Sequence, residues 1–141
     1  MSKTSIEWTQ LSWNPVTGCT KVSPGCENCY AERMALRLKA MGQPNYTNGF
    51  KLTIHDKMAE MPLSLRRPKS IFVNSMGDLF HENVPIVFIE RIVDVIRRSW
   101  WHKFQILTKR SKRLIEINKY IDWPDNLWVG VSVENKDYLW R

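Results

Sequence analysis

Short apolar runs alternate with amphipathic stretches along this chain, a pattern typical of βα units that follow one another. Apolar and β-branched residues predict strands at 12–16, 71–74, 104–108 and 127–133, with a further short strand at 51–54. Helical spacing predicts helices at 29–41, from Pro85 to about residue 98, and from a capping Ser111 to about residue 121. We therefore expect a single α/β domain over residues 1–141.

The inward face of each predicted helix follows from its apolar spacing. The first helix uses Ala31, Met34, Ala35, Leu38 and Met41. The second uses Ile86, Ile89, Val93 and Ile96, and the third Leu114, Ile117 and Ile121.

Strands that are separated by helices run parallel, so the fold is either an open α/β sheet or part of a TIM-barrel-like (βα) barrel. Both architectures place ligands at the carboxyl ends of the strands. The residues expected at that rim are Cys19, Gly77, Asp78, Lys109, Arg110, Glu134 and Asn135.

Composition narrows the class of protein. The 141 residues are 43% hydrophobic, which suits one folded core, and no apolar run reaches the roughly 18 residues of a membrane span. The amino terminus has no apolar signal segment, so we expect a cytoplasmic protein with no membrane partner. The net charge of +7 attracts polyanions such as nucleic acid, although solubility alone can explain it.

Seven tryptophans are many for this length. We expect most of them in the core, with Trp100 and Trp101 buried under the sheet rather than stacking on bases.

Three cysteines lie within eleven residues in the pattern C-x6-C-x2-C: Cys19, Cys26 and Cys29. An odd number of thiols is a poor disulfide framework, so the spacing favours a metal or cluster site. Three thiolates on a four-iron cluster leave one iron without a protein ligand. Zinc is the alternative, with His55 or His81 as the fourth ligand. We expect these histidines and His102 to be hydrogen-bonded or surface residues instead.

Six stretches carry a resemblance to a known family: IEWT (6–9), WNPVTGC (13–19), GCENCYAE (25–32), FVNSMGDLFH (72–81), LTKR (107–110) and GVSVEN (130–135). Over its whole length the chain resembles the amino-terminal portion of a phage and prokaryotic family of uncharacterised proteins, named for the mycobacteriophage gene products Gp37/Gp68. That family is similar to radical S-adenosylmethionine enzymes. In those enzymes three cysteines hold a [4Fe-4S] cluster, and the iron without a protein ligand binds the cofactor.

The resemblance implies Cys19, Cys26 and Cys29 as cluster ligands. Gly77 and Asp78 would meet the amino group of S-adenosylmethionine, and Ser132 and Glu134 its ribose or carboxylate. The sequence departs from the usual radical pattern in its first spacing of six residues. It also departs in having Asn28 before the third cysteine.

Four βα units do not close a barrel, which needs roughly 200 residues or more. We therefore expect an incomplete barrel, completed by a missing carboxy-terminal half or by a partner protein. Catalysis is in doubt if the chain ends at Arg141.

A basic run starts at the carboxyl end of the third main strand: Lys109, Arg110, Lys112 and Arg113. It could grip phosphate or nucleic acid at a helix start, or be a solvated helix end. Two functions stay open at this point. One is a radical S-adenosylmethionine type iron-sulfur enzyme that is phage-related and acts on an unknown substrate, for which nucleic acid is one candidate. The other is a non-catalytic, metal-stabilised nucleic-acid-binding module.

Overall fold

The structure is a computed structural model that describes residues 1–4 and 6–141, and only the backbone of Lys3. Its strands are β1 (Ser2–Lys3), β2 (Leu11–Trp13), β3 (Val16–Thr17), β4 (Thr53–Ile54), β5 (Ser70–Val73), β6 (Lys103–Thr108) and β7 (Leu127–Val131). The main sheet has the order β1-β2-β5-β6-β7, and β3 pairs with β4 in a separate antiparallel sheet.

The prediction of parallel α/β units is confirmed. Strands β2, β5, β6 and β7 run parallel to their neighbours, and β1 runs antiparallel to β2 at one edge. Within the described residues the sheet is open, with β1 and β7 at its two edges, and does not close into a barrel.

The main core lies on one face of this sheet. Trp13 and Phe104 are fully buried and their rings meet edge to face at a centroid distance of 5.9 Å. Helix α2 (Ile86–Arg98) contributes six buried residues to the same core, and helix α3 (Ser111–Asn118) contributes Ile117. Helix α1 (Tyr30–Ala40) packs instead in a small second cluster around Met76.

The opposite face of the sheet has little cover. Side chains alternate between faces along a strand, so Phe72, Gln105, Leu107 and Trp128 point away from the main core. Trp128 is 67% exposed there. All three described α-helices bury their apolar faces elsewhere, so the sheet is coated by helices on one side only.

The predicted helices are found with small changes at their ends. Helix α1 ends at Ala40, and Met41 is its exposed cap residue. The prediction that Met41 lies on the inward face is therefore wrong. Ser111 is the first residue of helix α3 and not its cap, a position that Arg110 takes. The Arg110 N–H donates to the Thr108 hydroxyl, and the helix begins after that turn. No helix in the described part of the chain combines the length and apolarity needed to cross a bilayer.

Three predicted strands are wrong in extent. The one at 51–54 is only Thr53–Ile54. The strand at 12–16 is two strands, because Pro15 has no N–H to donate and Asn14 turns its side-chain oxygen to the Met76 N–H. The strand at 127–133 ends at Val131, because its partner β6 ends at Thr108, where the chain turns towards α3.

The expectation for the tryptophans is wrong as well. Trp13 is the fully buried one, and its indole N–H donates to the Met58 carbonyl. Trp100, expected under the sheet, is 75% exposed, and the exposed tryptophans also include Trp8, Trp128 and Trp140. Apolar character alone did not separate buried tryptophans from those on uncovered surface.

Candidate functional site

A cavity of about 160 Å³ opens at the carboxyl ends of the parallel strands. It is lined by all three cysteines and by residues that follow β5, β6 and β7, namely Ser75, Gly77, Asp78, Lys109 and Ser132. The structure therefore brings together residues from four separate parts of the chain. Five predicted residues do not line this cavity, namely Arg110, Lys112, Arg113, Glu134 and Asn135. Two of them lie beside it: Arg110 contacts the Cys19 sulfur, and Glu134 lies against Gly25.

Two glycines determine where the cysteine loop leaves the sheet. Gly18 has a φ of +79°, and a Cβ there would lie 2.3 Å from the Lys51 carbonyl oxygen. Gly18 forms a parallel bridge with Gly77, where a Cβ would lie 2.9 Å from the Gly18 carbonyl oxygen. A side chain at Gly77 would push the loop away from the end of β5, and one at Gly18 would clash with the segment before β4. These close approaches set the position of Cys19.

The remaining two cysteines lie on a turn that leads into a helix. Residues Pro24–Cys26 form a short 3₁₀ turn, and Cys29 is the residue before α1. The three cysteines are free thiols and are all partly buried.

The thiols have different electrostatic surroundings. Burial raises the pKa of Cys19, although an Arg110 N–H lies 3.5 Å from its sulfur and favours the thiolate. Burial opposes the thiolate at Cys26 too, but the backbone at Val22 and the Ser23 hydroxyl together lower the pKa of that thiol.

Arg110 is the centre of a buried network that the sequence analysis did not anticipate. Its guanidinium forms an ion pair with Glu82 and donates to the Thr20 carbonyl at 3.0 Å and to the Thr20 hydroxyl at 2.9 Å. Only 3% of its side chain is exposed. Arg110 thus ties the end of β6 to the loop that carries Cys19 and is not available at the surface for phosphate.

The Asp78 carboxylate is occupied by internal donors. It accepts from the Thr108 hydroxyl at 2.8 Å, from the Phe80 N–H at 3.0 Å and from the Lys109 N–H at 3.4 Å. Burial outweighs these contacts and raises the pKa of Asp78. The carboxylate therefore connects the ends of β5 and β6, and its neighbour Gly77 presents backbone to the cavity.

Ser132 and Glu134 differ in position. Ser132 lines the cavity and its N–H donates to the Thr108 carbonyl at 2.8 Å. Glu134 pairs with Arg141 at 2.6 Å, and its side chain lies 3.0 Å from where a Gly25 Cβ would stand. The nearby Ser23 hydroxyl and the Arg141 guanidinium lower the pKa of Glu134. Glu134 therefore packs against the cysteine loop at Gly25 and does not line the cavity.

The four basic residues of the run at 109–113 are not brought together. Lys109 lines the cavity, whereas Arg110 is buried in its ion pairs. The Lys112 ammonium lies 5.2 Å from the centre of the Trp140 ring, and Arg113 pairs with Glu116 at 3.5 Å. Only Lys109 offers its charge to the cavity.

All three histidines are hydrogen-bonded, as expected. His81 contacts the Thr20 hydroxyl at 3.0 Å through Nε2 and accepts the Asn83 N–H at Nδ1. His55 contacts the Thr17 hydroxyl at 2.8 Å, and His102 Nδ1 accepts the Lys69 N–H.

The cavity offers three thiols as donors to a metal or a cluster. Among residues 1–4 and 6–141, no three cysteine, histidine or acidic side chains are grouped closely enough to hold one metal ion. A [4Fe-4S] cluster binds each thiolate to a different iron, so its ligands are spread around the cluster. The three thiols lie around one cavity and not around one point.

The comparisons with known proteins identify a family but no function. No curated protein and no solved structure matches the chain significantly. One family model matches residues 3–141, and its description is "Protein of unknown function (DUF5131)". The match covers nearly the whole chain, so the protein belongs to this uncharacterised family, DUF5131.

Proposed function

We propose that this protein is an iron-sulfur enzyme of the radical S-adenosylmethionine type. The observation that carries the proposal is that Cys19, Cys26 and Cys29 line one cavity at the carboxyl ends of the parallel strands. Helices α2 and α3 pack on one face of these strands, as helices do on the strands of a barrel. We also propose that the chain is related to the phage Gp37/Gp68 proteins.

Cys19, Cys26 and Cys29 would hold a [4Fe-4S] cluster. When bound, such a cluster would supply an electron and an open iron position for the reductive cleavage of S-adenosylmethionine. The other lining residues would bind and orient that cofactor.

The protein groups that face the cavity have distinct parts in this proposal. The Gly77 backbone, which lines the cavity, would contact the cofactor amino group. Asp78 would hold the ends of β5 and β6 together through its internal hydrogen bonds. The Ser132 hydroxyl would contact the ribose of that cofactor. Glu134 and Arg110 hold the cysteine loop in place.

Anaerobic reconstitution with iron and sulfide tests the proposal. We expect a brown protein that absorbs at about 400 nm and contains about four iron and four sulfide per chain. Cys26→Ala should lose the colour, while Lys21→Ala, an exposed change in the same loop, should keep it. With dithionite and S-adenosylmethionine, the wild-type protein should release 5'-deoxyadenosine.

A colourless protein with one zinc per chain would contradict the proposal. It would favour the alternative of a metal-stabilised module that binds nucleic acid without catalysis.

A further inference from the structure

The open face of the sheet carries a groove of about 340 Å³ beside the cysteine cavity. Trp8 and Trp128 line it together with Gln105, Leu107 and Gly130. Leu107 also lines the cysteine cavity, so the groove and the cavity adjoin at this side chain.

The indoles of the groove are positioned for stacking. Trp8 is held in place by an edge-to-face contact with Phe72 at a centroid distance of 4.9 Å, yet 48% of it is exposed. Trp128 stands on the neighbouring strand to Gln105, its register partner. Exposed indoles of this kind bind the flat faces of nucleobases with little regard to sequence.

The floor of the groove has an unsatisfied polar group. The Gln105 amide donates one long hydrogen bond, 3.5 Å from Nε2 to the Trp8 carbonyl. Its Oε1 is buried and has no hydrogen-bond partner among the described residues. Little holds this amide, so it can turn towards the edge of a planar ring that carries N–H or C=O groups.

Positive charge stands at both ends of the groove. Every second residue along β6 lies on the open face, which places Lys103, Gln105 and Leu107 in one row that Lys109 continues. The two lysines are separated by roughly 20 Å at the rise of a strand, a distance that spans several nucleotides. A row with charge at its ends and aromatic rings in its middle complements a single strand of nucleic acid, as does the net charge of +7.

We propose that this groove binds a base of single-stranded nucleic acid, with the flanking phosphates near Lys103 and Lys109. The inference rests on the proposed function in one respect: it takes the adjoining cysteine cavity as the place where the bound nucleotide would react.

Fluorescence anisotropy with a labelled oligothymidylate of about ten nucleotides tests the binding. Trp128→Ala should weaken binding about 5- to 150-fold, the range expected for loss of one stacking contact. Trp128→Phe should recover part of that loss. Trp100→Ala is the matched control, because Trp100 is 75% exposed and lies outside the groove, and it should bind as the wild type does.

A salt series from about 50 to 200 mM tests the charges. Lys103→Ala should reduce the dependence of log K on log salt by about one, while Lys57→Ala, an exposed lysine elsewhere, should not. A duplex of the same length should bind more weakly than the single strand.

Equal binding by Trp128→Ala and the wild type, with thermal melts showing both folded, would overturn the inference, as would equal binding of duplex and single strand. The same titration on cluster-free Cys26→Ala separates the two proposals. If the wild type binds the oligonucleotide but forms no cluster, the groove proposal stands and the proposed enzymatic function is wrong. If the wild type forms a cluster but does not bind the oligonucleotide, the groove proposal is wrong and the proposed enzymatic function stands.

Discussion

Single residues decide how closely the cysteine loop approaches the sheet. Gly18 and Gly77 lie backbone to backbone, and the Arg110 guanidinium holds Thr20 from the other side. Cys19 lies between these two contacts, so its position depends on packing that involves three separate segments of the chain.

Gly18→Ala should therefore be costly. A Cβ would lie 2.3 Å from the Lys51 carbonyl oxygen in addition to the strain of a positive φ, and we expect a loss of more than about 2 kcal/mol in unfolding free energy. Gly42→Ala is the control, since Gly42 has a φ of +69° but nothing within 4 Å of a Cβ, and it should cost only about 1 kcal/mol. Urea unfolding measures both, and equal losses would contradict the packing account.

A buried histidine should make stability depend on pH. Burial lowers the pKa of His102 below its usual value of 6.5, so the unfolded chain binds a proton more readily than the folded one. The stability contributed by the neutral ring is present above pH 6.5 and is lost as the pH falls towards the folded pKa.

His102→Gln should consequently show a shallower loss of unfolding free energy between about pH 7 and pH 5 than the wild type. His55 and His81 also have pKa values lowered by burial, so some slope should remain in the variant. Parallel pH profiles would show that His102 does not contribute.

The limits of sequence reasoning are clearest at this scale. The cysteines and Gly77 could be placed at the rim because they follow predicted strands. The role of Arg110 could not, because its partners Glu82 and Thr20 lie 28 and 90 residues away along the chain. A basic run looks the same whether its arginine is buried in ion pairs or exposed to solvent.

At the scale of elements, apolar periodicity located the helices and the parallel strands. Helix α2 has the clearest pattern, with six buried residues on one face. The stretch at 43–69 was less predictable, since it consists of short 3₁₀ turns and the two-residue strand β4, whose shapes depend on turn residues and on contacts with β3.

The two faces of α2 should respond very differently to truncation. Ile92→Ala removes a fully buried side chain and should cost about 2 to 5 kcal/mol in urea unfolding. Val87→Ala, on the same helix but 75% exposed, should change stability by less than about 0.5 kcal/mol. Similar effects at both positions would mean that α2 does not pack on the sheet as described.

At the scale of the whole molecule, the uneven cover of the sheet is the main feature. Helices coat one face, while the other carries an aromatic groove that adjoins the cysteine cavity at the carboxyl ends of the strands. Parallel strands were predictable from their alternation with helices. The exposed tryptophans were not, because the sequence does not show which face of a strand remains uncovered.

The central claim is that three thiolates hold a cluster with one iron left open. Electron paramagnetic resonance of the dithionite-reduced, reconstituted protein tests it most directly, with spectra recorded before and after S-adenosylmethionine is added. We predict a reduced [4Fe-4S] signal that changes shape when the cofactor binds, and no such signal in Cys29→Ala. A cluster signal that S-adenosylmethionine leaves unaltered, or no cluster signal in the wild type, would contradict the account.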